Sequence, residues 1–508
     1  HALAAPDWER AAELILSTAD GLLRRGEVVT LLNWFDALPD EVLRTHPRLC
    51  LELSWPLILS EQVDRAESCL AYAEQAVQHD DTLMGEVALV QAHIARVRGN
   101  TERAIELSER TLVLSDDLSV RSIAAVNVGM AHWYRGHLAD AKRALSEAER
   151  AGKGSGNEYA RWTGYVFLNR IRVVRGHLRE AAAAYRHMIQ KGEQLPLIAL
   201  AHYDLGRLHY EWNELEAASE HLMQGLEQGR RSERPELEIG GYSTLAAIKH
   251  AQGDTTAAHD ALAQVDRLLD QSDISPAAYL NSLAFRILGA LAQDDLPTAL
   301  LTANKAPGPE EIRSFPDYMW LMGAQTHLLL YQERRQAAAD KAASMYSIAR
   351  QAGWQQATIQ ARALQAVAAP TPQPALDYLT DALALAETEG YIRTFVDLGA
   401  PMAALLSEAA AQHIHLRYSQ KLLAAFDSAP VSPSARSSVR QPLVEPLSER
   451  ELEILCLLAD RLTYDEIARA LYLSVNTVKT HVQNIYGKLG VNRRRDATAR
   501  ARELGLLS

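Results

Sequence analysis

Cysteine is scarce. Only Cys50, Cys69 and Cys456 occur in 508 residues, too far apart in sequence to read as a metal-ligand or disulfide pattern, so a reducing cytoplasmic setting is expected. Aromatic residues are also few, at 6%, while Ala and Leu abound, which favours helices over sheets. No apolar run reaches the 18 or so residues needed to cross a bilayer; the longest uncharged stretch near one, Tyr318 to Gln332, contains Gln and His. No basic segment followed by an apolar core opens the chain, so no secretion signal is read and no membrane partner is expected. Sequence that already reads as helical begins at His1, and the chain is therefore expected to be a piece of a longer one.

Signatures of catalysis are missing as well. "AGKGSGNE" (Ala151 to Glu158) has the flavour of a phosphate loop, but it lacks the first Gly at the required offset and follows a helix rather than a strand. His413 and His415 are spaced i, i+2 and do not share a helical face, which argues against a metal pair. His137 and His177 recur with the repeat described next and read as turn residues. No H-E-x-x-H, nucleophile elbow or paired cysteines occur. An alternating strand–helix pattern, which a phosphorylatable receiver domain would need, is absent too. The expectation is a protein that is not an enzyme and holds no metal.

What is present is repetition. "GNTERA" ends at Ala104, "GHLADA" at Ala141 and "GHLREA" at Ala181; "NELEA" ends at Ala217 and "GDTTA" at Ala257, with weaker echoes at Ala66, Ala299 and Ala338. A spacing near 40 residues suits two helices of about four turns with two short turns. In each unit the Gly closes one helix in the left-handed region, and the Ala permits a close approach by the next. The predicted architecture is all-α: a tetratricopeptide-like solenoid over 1–426, with the repeats clearest from about 40 to 390. Aromatics crowd its middle repeats. Filling between helices is the plain explanation; the sharper one is an effector pocket lined by Trp133, Tyr165, Tyr203, Tyr210 and Trp212.

Residues 427–446, with four prolines and five serines, read as a flexible linker. The final domain, 447–508, is predicted to hold four helices. Ser448-x-x-Glu451 and Thr463-x-x-Glu466 are capping boxes, Ser474 caps a third helix, and Asn492 opens a fourth. Only Tyr472 to Ser474 separate the second and third helices, the spacing of a helix-turn-helix. With Val478, Val482 and Ile485 turned inward, the third helix presents Asn476, Thr477, Lys479, Thr480 and Gln483 outward. These are short donors and acceptors with one cation, suited to base edges and phosphates. Between Tyr472 and Arg502 the net charge is +6, in a chain of −12 overall, so positive charge is concentrated where double-stranded DNA would lie.

The segment from Leu447 to Leu507 resembles the LuxR-type DNA-binding domain over its full length. The family's L-(T/S)-x-R-E-x-E-(V/I)-L falls on Leu447 to Leu455, E-I-A-x-x-L on Glu466 to Leu471, and T-V-K-x-H-x-x-N-I-Y-x-K-L-G-V on Thr477 to Val491. Arg461 departs from it, where Gly commonly follows the first helix. The resemblance implies base reading by Lys479, Thr480 and Gln483, backbone contacts by Thr477, Lys488 and Arg494 beside the neighbouring Arg493, and pairing of two copies through the last helix. "LLNWFDALPDEVLRTHPRLCL" and "GYIRTFVDLGAPMAALL" are similar to segments of the large ATP-binding LuxR regulators, the group of the maltose-regulon activator. That similarity implies a bacterial, cytoplasmic transcription regulator that meets RNA polymerase and senses a small-molecule inducer or partner protein through its repeats. ATP is implied only for a nucleotide-binding module preceding this chain, whose own residues carry no cofactor site. The alternative is an interaction scaffold that the DNA-binding head merely localises.

Overall fold

The computed structural model describes residues 7–24, 28–60, 62–76, 80–191, 197–231, 235–271, 274, 276–428, 449–459, 463–464, 467–468, 471, 473–489 and 497. Every regular element among them is helical. The chain divides into two compact units, 1–430 and 431–508.

In the first unit, antiparallel hairpins follow one another from Pro47–Leu59 with Val63–Ala76 to Gln355–Ala368 with Pro372–Ala386. The seven hairpins between the first and the last of these turn through one residue in the left-handed region: Gly99, Gly136, Gly176, Asn213, Gly253, Asp294 and Glu333, with φ between 59° and 82°. The next amide then reaches back to the last helical turn, as in His137 N–H to His132 O at 2.9 Å and Arg334 N–H to Leu329 O at 2.9 Å. Asn100 and Asp295 go on to cap the following helix, accepting from the amides of Arg103 and Thr298.

Five residues beyond each left-handed position lies a buried alanine: Ala104, Ala141, Ala181, Ala218, Ala258, Ala299 and Ala338, all at most 2% exposed. Two of the expected positions are therefore corrected by one residue. Ala218 and Ala258 are buried where Ala217 and Ala257 were expected, since an Ala-Ala doublet hides the register that the turn residue sets. Cys50 and Cys69, on the two arms of one hairpin, are buried free thiols whose side chains meet, which sequence distance concealed.

The solenoid coils far enough for distant hairpins to touch. Phe315 packs over Gly136 and Gln355 over Gly176, each 179 residues on, and Trp212 Nε1–H donates to Glu389 O across 177 residues. The Trp133 and Trp354 rings lie 5.1 Å apart at the first of these contacts. One apolar core accordingly joins residues of 125–208 to residues of 319–425.

Candidate functional site

In the second unit, Glu449–Ala459 and Val475–Leu489 pack through Ile454, Leu455, Leu458, Val478, Val482 and Ile485, joined by Ile467, Ala468 and Ala497. The period of about 3.6 residues puts Val478, Val482 and Ile485 on one stripe, and burial of that stripe fixes which side of the helix meets solvent. Ser474 Oγ accepts the Thr477 amide at 3.1 Å, the expected N-cap, and its hydroxyl pairs with Thr477 Oγ1 at 2.7 Å. Arg450 Nη2 donates to Leu471 O at 2.6 Å, tying the first helix to the end of the second.

Opposite the buried stripe, Lys479, Thr480 and Gln483 are exposed and successive turns carry them along one face. Their order, a cation, a hydroxyl and an amide, supplies donors and acceptors at major-groove scale. Thr477, half-buried, is held by the cap, and Asn476 lies in the first turn of the same helix. Arg493 and Arg494 lie outside the described residues.

Lys488, expected to contact the DNA backbone, has a protein partner in this structure. Its ammonium donates to Glu451 Oε2 at 2.9 Å, and the two side chains are only 19% and 5% exposed. Val475–Leu489 is thus braced against Glu449–Ala459 by a largely buried ion pair. Sequence reasoning missed this because Glu451 lies 37 residues earlier and already had a role as a capping-box residue.

In the solenoid, the five aromatics expected to line one pocket are distributed. Trp133 is buried edge-on to Phe167 and tilted against Trp354. Tyr165 is half-buried, its hydroxyl on Ala184 O at 3.3 Å. Tyr203 is buried in a separate cluster with Leu222 and Ile239, against Gly225 and Gly241. Tyr210 and Trp212 do come together, on the segment that follows Pro372–Ala386. Tyr210 donates to Asp397 Oδ2 at 2.9 Å, and the guanidinium of Arg393 stands 5.1 Å over its ring. Trp212 donates to Glu389 O, the Ile392 amide to Glu211 O, and the Thr394 amide to Glu211 Oε1 at 3.0 Å. Burial pushes the Glu211 carboxyl up to about 7 against the lowering effect of that amide. These contacts form a clasp across the solenoid, not an open pocket.

Further polar residues lie along the inner helices. Asp204 accepts from Arg170 Nε at 2.7 Å and from the Tyr185 hydroxyl at 3.1 Å. Burial and the Asp204 carboxylate raise the Tyr185 phenol well above its ordinary range. Arg207 places its guanidinium 4.5 Å over the Trp320 ring.

With this geometry in place, comparison with known proteins is informative. Residues 85–412 match the family described as MalT-like TPR region, and residues 445–501 match bacterial regulatory proteins, luxR family. The HTH-type transcriptional regulator MalT of Cronobacter sakazakii is 26% identical over 99% of this chain, and that of Serratia proteamaculans 25% over 99%. The chain spans 59% of the length of either relative. Among solved structures, a Rap protein complexed with Competence and Sporulation Factor superposes with a TM-score of 0.51 at 14% identity, covering 68% of this chain and 99% of that one. This last likeness establishes shared helical-repeat architecture.

Proposed function

Because the chain belongs to the MalT-like TPR-region family and ends in a luxR-family domain, we infer that it is a DNA-binding transcription regulator whose solenoid senses an effector or partner. One observation carries the reading: burial of Val478, Val482 and Ile485 leaves Lys479, Thr480 and Gln483 exposed together on the opposite face of a capped helix. In this reading the helix enters the major groove, Lys479 and Gln483 address base edges, and Arg493 and Arg494 add phosphate contacts. RNA polymerase and a second copy of the chain on DNA complete the assembly, in the cytoplasm. No helix among the described residues is long and apolar enough to cross a membrane. The reading assigns no cofactor and no catalysis to these 508 residues, and places ATP dependence in sequence outside them. The Rap protein is complexed with Competence and Sporulation Factor; the solenoid's own ligand is read here as a small molecule or a partner protein.

Selection from a random duplex library by the 508-residue chain tests this. A recurrent motif is expected, with Lys479→Ala and Gln483→Ala each lowering affinity for it by roughly 1–3 kcal/mol and little for scrambled DNA. Absence of an enriched motif, or equal losses on both duplexes, refutes the assignment of these residues to base reading.

A further inference from the structure

The turn between Leu118–Tyr134 and Leu138–Ser155 gathers His132, His137 and Asp140 so that one ligand atom from each lies within 4.8 Å of the others. The fold itself makes this convergence. At the same three places one repeat later, Arg172 Nε stands 4.0 Å from Glu180 Oε2; two repeats later, His209 Nδ1 is 2.6 Å from Glu214 Oε2. The left-handed turn residue, with its amide bonds back to the preceding helix, sets the separation in each case. Only in the first of these three turns do all three places carry metal-ligating side chains.

Two details set this turn apart from ordinary packing. Asn100, Asp254 and Asp295 occupy the position of His137 in other repeats, and each turns its side chain onto the amide three residues on. His137 makes no such cap and lies exposed, its ring centroid 5.8 Å from that of His132. His132 is half-buried, and its Nδ1 is buried without a hydrogen-bond partner among the described residues. Burial holds that imidazole below its ordinary range, with Asp140 acting in the opposite sense. Asp140 pairs with Arg143 at an exposed site, an interaction that water already screens and a cation can displace.

We propose that His132, His137 and Asp140 form a binding site for a divalent transition-metal ion of the Zn2+ class, with a coordination position left open to water or an exogenous donor. Two imidazoles and one carboxylate match the ligand preference of Zn2+ and exclude Ca2+ and Mg2+, which take oxygen donors. Bound metal would pin the start of one helix to the end of the one before it. The site lies outside the head and does not depend on the DNA-binding reading.

Calorimetric titration of the metal-free 508-residue chain with Zn2+ near neutral pH tests it. A saturable one-equivalent site is expected, weakened at least about tenfold by His137→Ala and by Asp140→Asn. Both side chains reach solvent, so the variants should keep the wild-type helical circular dichroism. His177→Ala, the same turn position in the next repeat, serves as control and should bind Zn2+ like wild type. Absence of saturable binding to the wild-type chain overturns the proposal, as does affinity unchanged in both His137→Ala and Asp140→Asn.

Discussion

Replacing Lys488 with Met separates two accounts of the same residue. If Lys488 served the DNA backbone, its loss would lower the salt dependence of binding by about one phosphate contact and leave the head as stable as before. The structure instead pairs it with Glu451, itself 4% exposed as a residue. Removing the cation takes the counter-charge from a buried carboxylate. Breaking a fully buried pair costs roughly 3–5 kcal/mol, and the 19% exposure of the Lys488 side chain brings the expectation down to about 2–3 kcal/mol. A domain of 62 residues has only about 3–9 kcal/mol of stability in total, so most of its reserve would go. Amide hydrogen exchange of Val475–Leu489 within the intact chain reads this directly: protection should fall roughly 30- to 150-fold. Lys488→Met with Glu451→Gln removes both charges and should recover much of the loss. Unchanged protection in Lys488→Met, together with a reduced salt slope, would refute the reasoning and restore Lys488 to the DNA interface.

Other substitutions test the solenoid. Glu333 holds φ at 59°, so Glu333→Gly should raise stability by about 1 kcal/mol, seen as a higher urea midpoint with unchanged slope. A Cβ on Gly164 would stand 2.8 Å from Leu145 O, so Gly164→Ala should cost roughly 1–3 kcal/mol. Gly240 has open space around it inside Pro235–Ala251, and Gly240→Ala should stabilise by roughly 0.5–1 kcal/mol in the same denaturation assay. For Glu211, the folded-state pKa of about 7 exceeds the ordinary 4.5, so the native chain binds more protons than the unfolded one between those values. Stability should therefore decline as pH rises from about 4.5 through 7, and Glu211→Gln should flatten that decline in pH-dependent melting.

Much of this molecule is legible locally. The left-handed turn residue and the small residue five places on announce seven of the hairpins, and a 3.6-residue stripe is enough to orient Val475–Leu489. Where local signals repeat themselves, the reading slips: Ala217-Ala218 and Ala257-Ala258 offer two equivalent small residues, and only the placement of Asn213 and Gly253 decides between them. Partners far along the chain are harder still. Tyr210 and Trp212 looked like pocket aromatics, yet what they meet is Asp397 and Glu389, more than 170 residues away. Lys488 and Glu451 show the same limit on a smaller scale, since nothing local marks a cation as the counterion of one particular carboxylate.

The contacts between 211–213 and 389–397 alter how the repeats respond to force and heat. An open stack of hairpins behaves like a spring: each repeat feels its neighbours, fraying starts at an end, and stability adds up unit by unit. Hydrogen bonds that join Glu389, Ile392, Arg393 and Thr394 to Glu211, Trp212 and Asn213 turn that spring into a ring over the intervening repeats. A ring cannot fray from within; its members must open together, or the closure must break first. A pulling experiment should accordingly meet one large rupture in place of a staircase of small ones, and an event at one repeat would be felt on the far side of the ring without passing through every unit between.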